Sequence, residues 1–245
     1  MPDRRTRRDK WVHDGLLAIL VGSVAGLISG GILFVGQSRL DDSRAEREMT
    51  AAEELADNAA RLENLRYVRD KSGVEGAFFG SLDLAETQLS GLQLRESNFY
   101  NSVLTGAYMS GMDLTYSNIT GADLTNVFST GTDFTGSDFS GSNMENAFFL
   151  LSEFEGASFT RVSASGVDMF DSSFAGARID CMDVRGASFR VADLSDATVS
   201  NLIHDASTIW PEGFTPPPTV TRESCMLEEH RSPSVAAVES NMRDR

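Results

Sequence analysis

Residues 121–140 read GADLTNVFSTGTDFTGSDFS, four consecutive copies of one five-residue pattern. The pattern runs without a slip from residue 76 to residue 200 and so comprises 25 repeats. The central residue of each repeat, position i, is large and apolar in 23 of them, with Ser129 and Ala164 as the exceptions. A period of five matches neither the helical period of about 3.6 residues nor the period of about two of a flat strand. It predicts a solenoid, whose units bury their apolar faces by stacking on one another.

The other positions of the repeat fit a tight corner beside a packed interior. Position i−2 is small in most repeats (nine Ala, seven Ser and two Thr), so it is expected to point inward with the central residue. Position i−3 is Gly in 12 of the 25 repeats, and Gly allows the backbone angles of a bend. Position i−1 is Asp or Asn in 11 of them, and these side chains bond their own backbone in turns.

Several repeats resemble the A(D/N)LXX motif of the pentapeptide-repeat family, namely GMDLT (111–115), GADLT (121–125), GTDFT (131–135) and GSDFS (136–140). The segment TIWPEGF at 208–214 also resembles the segment that often ends such arrays in bacteria. The resemblance implies a bacterial protein with an all-β solenoid fold, a right-handed quadrilateral parallel β-helix. It further implies four repeats per coil, with positions i and i−2 inside. The repeats would then form about six coils, a rod roughly 30 Å long at about 4.8 Å between stacked strands.

A run of 21 residues without a charge, from Gly15 to Val35, precedes the repeats. About 20 apolar residues cross the hydrocarbon layer of a bilayer, so residues 15–35 predict one transmembrane helix. The alternative is a signal peptide cleaved after Ser23-Val24-Ala25, but the run continues well past that site. Five Lys/Arg precede the run and three follow within 15 residues, which favours a cytoplasmic N-terminus. The protein is therefore expected in the cell membrane as a single-pass protein, with the repeats outside the cytoplasm.

The flanking segments complete the predicted domain organisation. Residues 38–70 contain no Gly or Pro and many Ala, Glu and Arg, which is typical of a solvated helix. Trp210 and Phe214 are expected to cover the last coil, whose open edge would otherwise offer unpaired backbone groups. The predicted segments are a basic cytoplasmic N-terminus (1–14), the transmembrane helix (15–35), a helical stalk (36–75), the β-helix (76–200), a cap (201–215) and a disordered tail (216–245).

The predicted membrane helix carries a row of small residues, Ala18, Gly22, Gly26 and Gly30, each four positions apart. At helical spacing these residues lie on one face. In lipid, helices associate where small residues let their backbones approach closely. The row therefore predicts self-association of this helix, and with it a homodimer.

The composition argues against catalysis and against direct binding of nucleic acid. The formal charge of −15 and the pI of about 4.5 are the opposite of the basic surface that nucleic acid requires. His13, His204 and His230 lie far apart, and no Ser/His/Asp, Cys/His or metal-ligand constellation is present in the sequence. We therefore expect no enzyme activity, no cofactor and no metal, and predict a scaffold that binds an unidentified protein partner.

An acidic decoy is the alternative function. Residues 76–200 hold 16 Asp/Glu, 5 Arg and no Lys. Some members of the family that these repeats resemble are cytoplasmic DNA mimics that bind DNA gyrase with an acidic rod. By this resemblance, the protein would protect a nucleic-acid enzyme such as gyrase. This chain departs from that pattern because it has a predicted membrane anchor and no loop inserted between its repeats.

Two outward rows are the candidate partner-binding sites. Tyr108, Phe128 and Phe148 lie 20 residues apart at position i−1, and Leu150 and Phe170 lie at i+1 of the same face. A stacked, exposed apolar stripe predicts a docking surface, unless Phe128 turns inward because Ser129, its central residue, is small. The next face carries the candidate acidic row, with Glu155 and Asp193 nearby, at Asp113, Asp133 and Glu153. This row either keeps the rod soluble or meets a basic partner.

The two cysteines, Cys181 and Cys225, are too few for a disulfide scaffold. If the repeats are exported, these two could bond to each other and pin the tail to the fifth or sixth coil. Alternatively, Cys181 simply fills a corner of the solenoid.

Overall fold

The computed structural model describes residues 44–227. The predicted transmembrane helix at 15–35, its row of small residues and the end of the tail, 228–245, lie outside the described residues. Between residues 44 and 227, no helix is long and apolar enough to cross a membrane. The chain divides into two compact units, with the boundary between Asn58 and Ala59.

Helix α1 comprises residues 44–70, within the segment predicted to be a helical stalk. In the first unit, its residues 44–58 are exposed throughout. Arg44 and Glu48 form an ion pair of 3.5 Å one turn apart, at a spacing that stabilises a helix.

The second unit is a four-sided solenoid, which confirms the predicted fold of pentapeptide repeats. Backbone pairs join residues 20 apart in parallel, as in Phe78–Asn98 and Asn98–Asn118, so four repeats make one coil. The amide of each central residue donates to the next coil, as from Phe79 N to the carbonyl oxygen of Asn98 at 2.7 Å. The four faces are numbered 1 to 4 after the central residues of the first coil, Phe79, Leu84, Leu89 and Leu94.

The extended segments are short because each face is only a few residues wide. Faces 1 and 3 contain the strands, all paired in parallel at a spacing of 20 residues. The strands of face 3 are β1 (Phe128–Thr130) and β2 (Phe148–Leu150). The strands of face 1 are β3 (Ser158–Thr160), β4 (Arg178–Asp180) and β5 (Thr198–Ser200).

The core consists of ladders of central residues that stack from coil to coil. Phe134, Phe154 and Phe174 are fully buried on face 4, and each ring centroid lies 5.0 Å from the next. Rings of adjacent faces meet edge to face, as Phe154 and Phe159 do at 5.4 Å. Offset-stacked and edge-to-face contacts are the favourable aromatic geometries, so the stacking period itself packs the interior.

The corners explain the glycine pattern. Every fifth residue from Gly76 to Asn201 has a positive φ, and 14 of these residues are not glycine. This left-handed conformation costs a residue with a Cβ atom about 1–2 kcal/mol, whereas Gly adopts it freely. Position i−3 is therefore the corner of the solenoid, as predicted, although half of the corners tolerate the strain.

The end of helix α1 caps the first coil, a role that the stalk prediction missed. Val68 is fully buried in the core, and the Tyr67 ring meets Phe79 edge to face at 5.8 Å. Within the solenoid, the amides of the central residues of one coil donate to carbonyl oxygens of the next coil. The first coil has no preceding coil, and other groups donate to its carbonyl oxygens. These are Asn64 Nδ2 to Asp83 O, Tyr67 Oη to Phe78 O, Arg69 Nη2 to Gln88 O and Gly73 N to Gln93 O. The cap thus supplies one donor to each of the four faces.

The coil continues beyond residue 200, the predicted end of the repeats. Asp183 pairs with Ile203 and Ser188 with Ile209, so two faces of a further coil form. The second pairing spans 21 residues, and this one-residue insertion hides the repeat in the sequence. Trp210 takes the central position and stacks on Phe189 at 5.3 Å, while Phe214 packs on Trp210 at the same distance. Both side chains cover the last coil, as predicted.

The prediction of a disordered tail is wrong for residues 216–227. Val220 N donates to Leu202 O at 2.9 Å, and the short helix α2 (Arg222–Leu227) follows. A disulfide joins Cys181 to Cys225, whose Cα atoms lie 5.6 Å apart. The tail is held because it bonds backbone groups that the end of a solenoid leaves open.

Candidate partner-binding face

Tyr108, Phe128 and Phe148 form a ladder on the outside of face 3. Their ring centroids are 5.5 and 5.2 Å apart, with interplanar angles of 14° and 5°. Each of the three side chains is 40–42% exposed, so Phe128 does not turn inward. The small Ser129 beneath it is buried and bonds the Thr132 hydroxyl at 2.8 Å instead.

The two apolar residues at i+1 widen this ladder. Leu150 and Phe170 are half-buried on the same face. The Arg190 guanidinium lies 5.0 Å from the centroid of the Phe170 ring, which is a cation–π distance. The structure therefore brings together all five residues of the predicted stripe on face 3.

Leu151 extends the surface, and sequence reasoning missed it. It occupies the corner between faces 3 and 4 with a φ of +53° and is 53% exposed. A bulky residue in this conformation is strained, and its exposure gives it little packing in return. The signal in the sequence was a large apolar residue at the position where the repeat favours Gly. Together these side chains form the apolar stripe, which consists of Tyr108, Phe128, Phe148, Leu150, Leu151 and Phe170.

The predicted acidic row lies on face 4, in the same three coils as the aromatic ladder. Asp113 pairs with Asp133, and Asp133 with Glu153, across consecutive coils. Two of the carboxylates have a local structural role, since Asp113 Oδ1 accepts from Thr115 N at 3.1 Å and Asp133 Oδ1 from Thr135 N at 2.9 Å. Arg95 lies 3.9 Å from Asp113 at one end of the row.

Of the two residues near this row, Asp193 makes the same local bond and Glu155 bonds the next coil. Asp193 Oδ1 accepts from Ser195 N at 2.8 Å, and this hydrogen bond lowers the pKa of the Asp193 carboxyl. Glu155 accepts from the Ser173 hydroxyl at 3.3 Å. Bonds of this kind recur at Asp and Asn of position i−1 on all four faces, as at Asn98, Asp123 and Asp168. The acidity of the rod is therefore in part a requirement of its turns.

A separate cleft of about 310 Å³ lies where the tail folds over face 2 and its corner with face 1. Its lining includes Arg161, Asp183, Arg222 and the disulfide. Asp183 is buried and accepts from Arg185 Nη2 at 2.7 Å and from Arg222 Nη2 at 3.2 Å. Burial would raise the pKa of Asp183, but the hydrogen bonds and charge of Arg185, and then the charge of Arg222, hold it below the ordinary value. The cleft thus contains an ion-pair clamp for the tail.

The described part of the chain offers no metal centre. Within residues 44–227, no group of three His, Cys, Asp or Glu side chains is placed to hold an ion.

A family model described as pentapeptide repeats matches the centre of the chain in eight copies, over residues 83–119, 93–128, 113–149 and 137–176. The repeat domain belongs to the pentapeptide-repeat family. The model matches the coils that carry the ladder of Tyr108, Phe128 and Phe148. No curated protein matches the chain.

Several solved structures are similar to this chain at low identity. A trypsin-treated form of QnrB1, a plasmid-mediated fluoroquinolone resistance protein, is 17% identical; the match covers 54% of this chain and 79% of that one, with a TM-score of 0.30. HetL of the cyanobacterium Nostoc, involved in heterocyst differentiation regulation, is 17% identical over 61% of this chain and 96% of its own, with a TM-score of 0.28. A pentapeptide-repeat protein of the Arabidopsis thaliana thylakoid lumen is 20% identical over 50% and 68%, with a TM-score of 0.20. At these TM-scores the likenesses carry no argument about this chain.

Proposed function

We propose that this pentapeptide-repeat protein is a non-catalytic scaffold, tethered to a membrane by residues 15–35, that binds a protein partner through the apolar stripe. The observation that carries the proposal is the contiguous exposed ladder of Tyr108, Phe128 and Phe148 beside the strained Leu151. The repeat requires large apolar side chains only at its inward positions. Exposed apolar clusters on a folded domain mark interaction sites.

The disulfide between Cys181 and Cys225 supports a repeat domain outside the cytoplasm. Structural disulfides form and persist in oxidising compartments and are rare in the cytosol. The positive charges before residue 15 favour the same topology. In this arrangement the tether holds the rod near the membrane, where it would meet partners at the same surface.

The acidic decoy remains the second candidate function. The charge of residues 76–200 favours it, but the Asp and Asn bonds at position i−1 account for part of that charge without a mimicry role. The two candidates differ in where contact occurs. A decoy would use its acidic faces and would need the rod in the cytoplasm, whereas the scaffold would use face 3.

Site-specific photo-crosslinking of the full-length protein in its native host tests the scaffold. A photoreactive amino acid replaces Phe128 on face 3 or, as the matched control, Asn118 at the equivalent outer position of face 1. We expect crosslinked protein adducts from position 128 and none from position 118, and loss of the adducts when Phe148→Asp is added. Equal adducts from both positions, or none from position 128, would contradict the proposal.

Topology is measured with a cysteine at Ser90, an exposed position of face 3 at the end of the stripe, in an otherwise unchanged chain. A membrane-impermeant maleimide should label it on intact cells. Labelling only after lysis would contradict the external location and favour the decoy.

A further inference from the structure

The backbone N–H and C=O groups beneath the apolar stripe are already hydrogen-bonded between coils of the solenoid. Phe128 N donates to Ala107 O at 3.0 Å, and Met109 N donates to Phe128 O at 2.8 Å. Phe148 N donates in turn to Val127 O at 2.8 Å. A partner strand could not pair with this face, because pairing needs unbonded backbone groups at a sheet edge. A partner on face 3 must therefore satisfy its own backbone, as an α-helix does.

The spacing of the ladder matches such a helix. The ring centroids are 5.5 and 5.2 Å apart, and the pitch of an α-helix is about 5.4 Å. A helix parallel to the rod axis would place one side chain per turn at each of the three rings. Side chains at helical positions i, i+4 and i+7 form such a row. The near-parallel rings present their edges outward, so each helical turn would meet one ring edge.

The charges beside the stripe differ between its two sides. On the side of face 4, the same three coils carry Asp113, Asp133 and Glu153. On the side of face 2, the equivalent i−1 positions of these coils hold Val103, Asp123 and Asn143, of which only Asp123 is charged. Position i+1 carries one Glu on each of the two faces. All three coils therefore have a carboxylate at position i−1 of face 4, whereas one coil has a carboxylate at that position of face 2. A complementary helix would carry Lys or Arg mainly along the flank of its apolar row that meets face 4.

We infer that the partner of face 3 is an amphipathic α-helix with a basic flank, docked parallel to the rod axis. Its apolar row lies on Tyr108, Phe128 and Phe148, and its basic flank faces Asp113, Asp133 and Glu153. Three coils correspond to about three helical turns, or roughly 11 residues of direct contact. The inference rests on the proposed function, since it names the kind of partner that the stripe accepts.

Three designed 18-residue peptides serve as probes for binding to the purified full-length protein. The first has Leu at i, i+4 and i+7 and Lys along one flank, the second replaces this Lys row by Glu, and the third has the composition of the first without helical periodicity. Fluorescence anisotropy at physiological salt measures the dissociation constants. We expect the first peptide to bind at least about tenfold more tightly than either of the others.

Protein variants separate docking from general attraction to an acidic rod. Phe128→Ser should weaken the first peptide at least about tenfold, and Asp133→Asn about threefold. The matched control is Asp138→Asn on face 1, which removes the same charge and, like Asp133→Asn, keeps an Oδ1 that can accept the local bond from a backbone amide, here Ser140 N. It should leave the affinity unchanged. Circular dichroism and thermal unfolding show whether each variant stays folded.

The outcomes distinguish this inference from the proposed function. Equal weakening by Asp133→Asn and Asp138→Asn, equal binding of the Lys and Glu peptides, or no binding of the Lys peptide would each overturn the basic helix. Crosslinking at position 128 in cells would survive all three results if face 3 binds a partner of another kind. Loss of that crosslinking would overturn the scaffold itself.

Discussion

Faces 1 and 3 share one backbone and differ in what they show to solvent. Both contain parallel strands with a 20-residue register, and both bury a continuous column of central side chains. On the outside, face 1 has Asn98, Asn118 and Asp138 where face 3 has Tyr108, Phe128 and Phe148. Stacking dictates the inward positions of a solenoid and leaves the outward ones free. Outward side chains can therefore differ between faces, and give one face a binding function, without altering the fold.

The chain itself covers part of face 2 and leaves the ladder of face 3 exposed. The tail crosses from Leu202, past Asp183, to the disulfide at Cys181, which is the corner between faces 1 and 2. The aromatic rings of face 3 keep two-fifths of their surface accessible. One side of the solenoid is therefore covered by the C-terminal tail, and another side is accessible to a partner.

The largest effect is expected from the inward column of face 1. Phe159 is fully buried and stacks on Phe139 at 5.1 Å, so Phe159→Ala should lower the free energy of unfolding by about 3–5 kcal/mol. The outward Phe128→Ala on face 3 should lower it by less than about 1 kcal/mol. Guanidinium unfolding of both variants measures the difference. Similar losses would mean that the ladder of face 3 is part of the core and not a spare surface.

Loss of the disulfide is expected to have the next largest effect. The double variant Cys181→Ser with Cys225→Ser removes a link across 44 residues and should cost about 2–4 kcal/mol. Hydrogen exchange should show faster exchange of the Val220 amide and unchanged exchange of the amides beneath the stripe, such as Phe128. Faster exchange at Phe128 would show that closure of the tail edge and integrity of the open face are coupled.

Acid should loosen the same edge through Asp183. Its pKa lies below the ordinary value of 3.8, so the ion pairs with Arg185 and Arg222 stabilise the tail fully above about pH 4. That contribution is lost as the pH falls through the lowered pKa. Asp183→Asn should cost about 1–2 kcal/mol at pH 7, because both arginines are more than half exposed. Between pH 7 and pH 3, the exchange rate of Val220, corrected for intrinsic exchange, should rise in the wild type and stay level in the variant.

The smallest effect is expected at the strained corner of face 3. Leu151→Gly relieves a positive φ and should stabilise the rod by about 0.5–1 kcal/mol, while weakening partner binding. The control is Glu96→Gly, with a φ of +57° at the corner between faces 4 and 1. It should stabilise the rod similarly and leave binding unchanged. A Leu151→Gly variant that is more stable and binds as before would remove Leu151 from the docking surface.

The sequence by itself determined the solenoid, its four-repeat coil and the residues of both candidate rows. The strict period of five predicts a solenoid, and the four repeats per coil that the family resemblance implies place residues 20 apart on top of one another, so that Tyr108, Phe128 and Phe148 were expected to stack. The same logic assigned Gly to the corners. These conclusions follow from the repetition and from the family resemblance of the repeats, both of which are visible without coordinates.

Only the tertiary structure decided what happens where the repetition stops or is violated. The end of α1 is a cap and not merely a stalk because Asn64, Tyr67 and Arg69 meet carbonyls that lack an earlier coil. The tail is ordered because the last coil leaves Leu202 O open to Val220 N. Leu151 joins the stripe because the corner holds it in a left-handed conformation and turns it outward. Backbone groups without partners, and the strain that a closed coil imposes, exist only once the coil has formed.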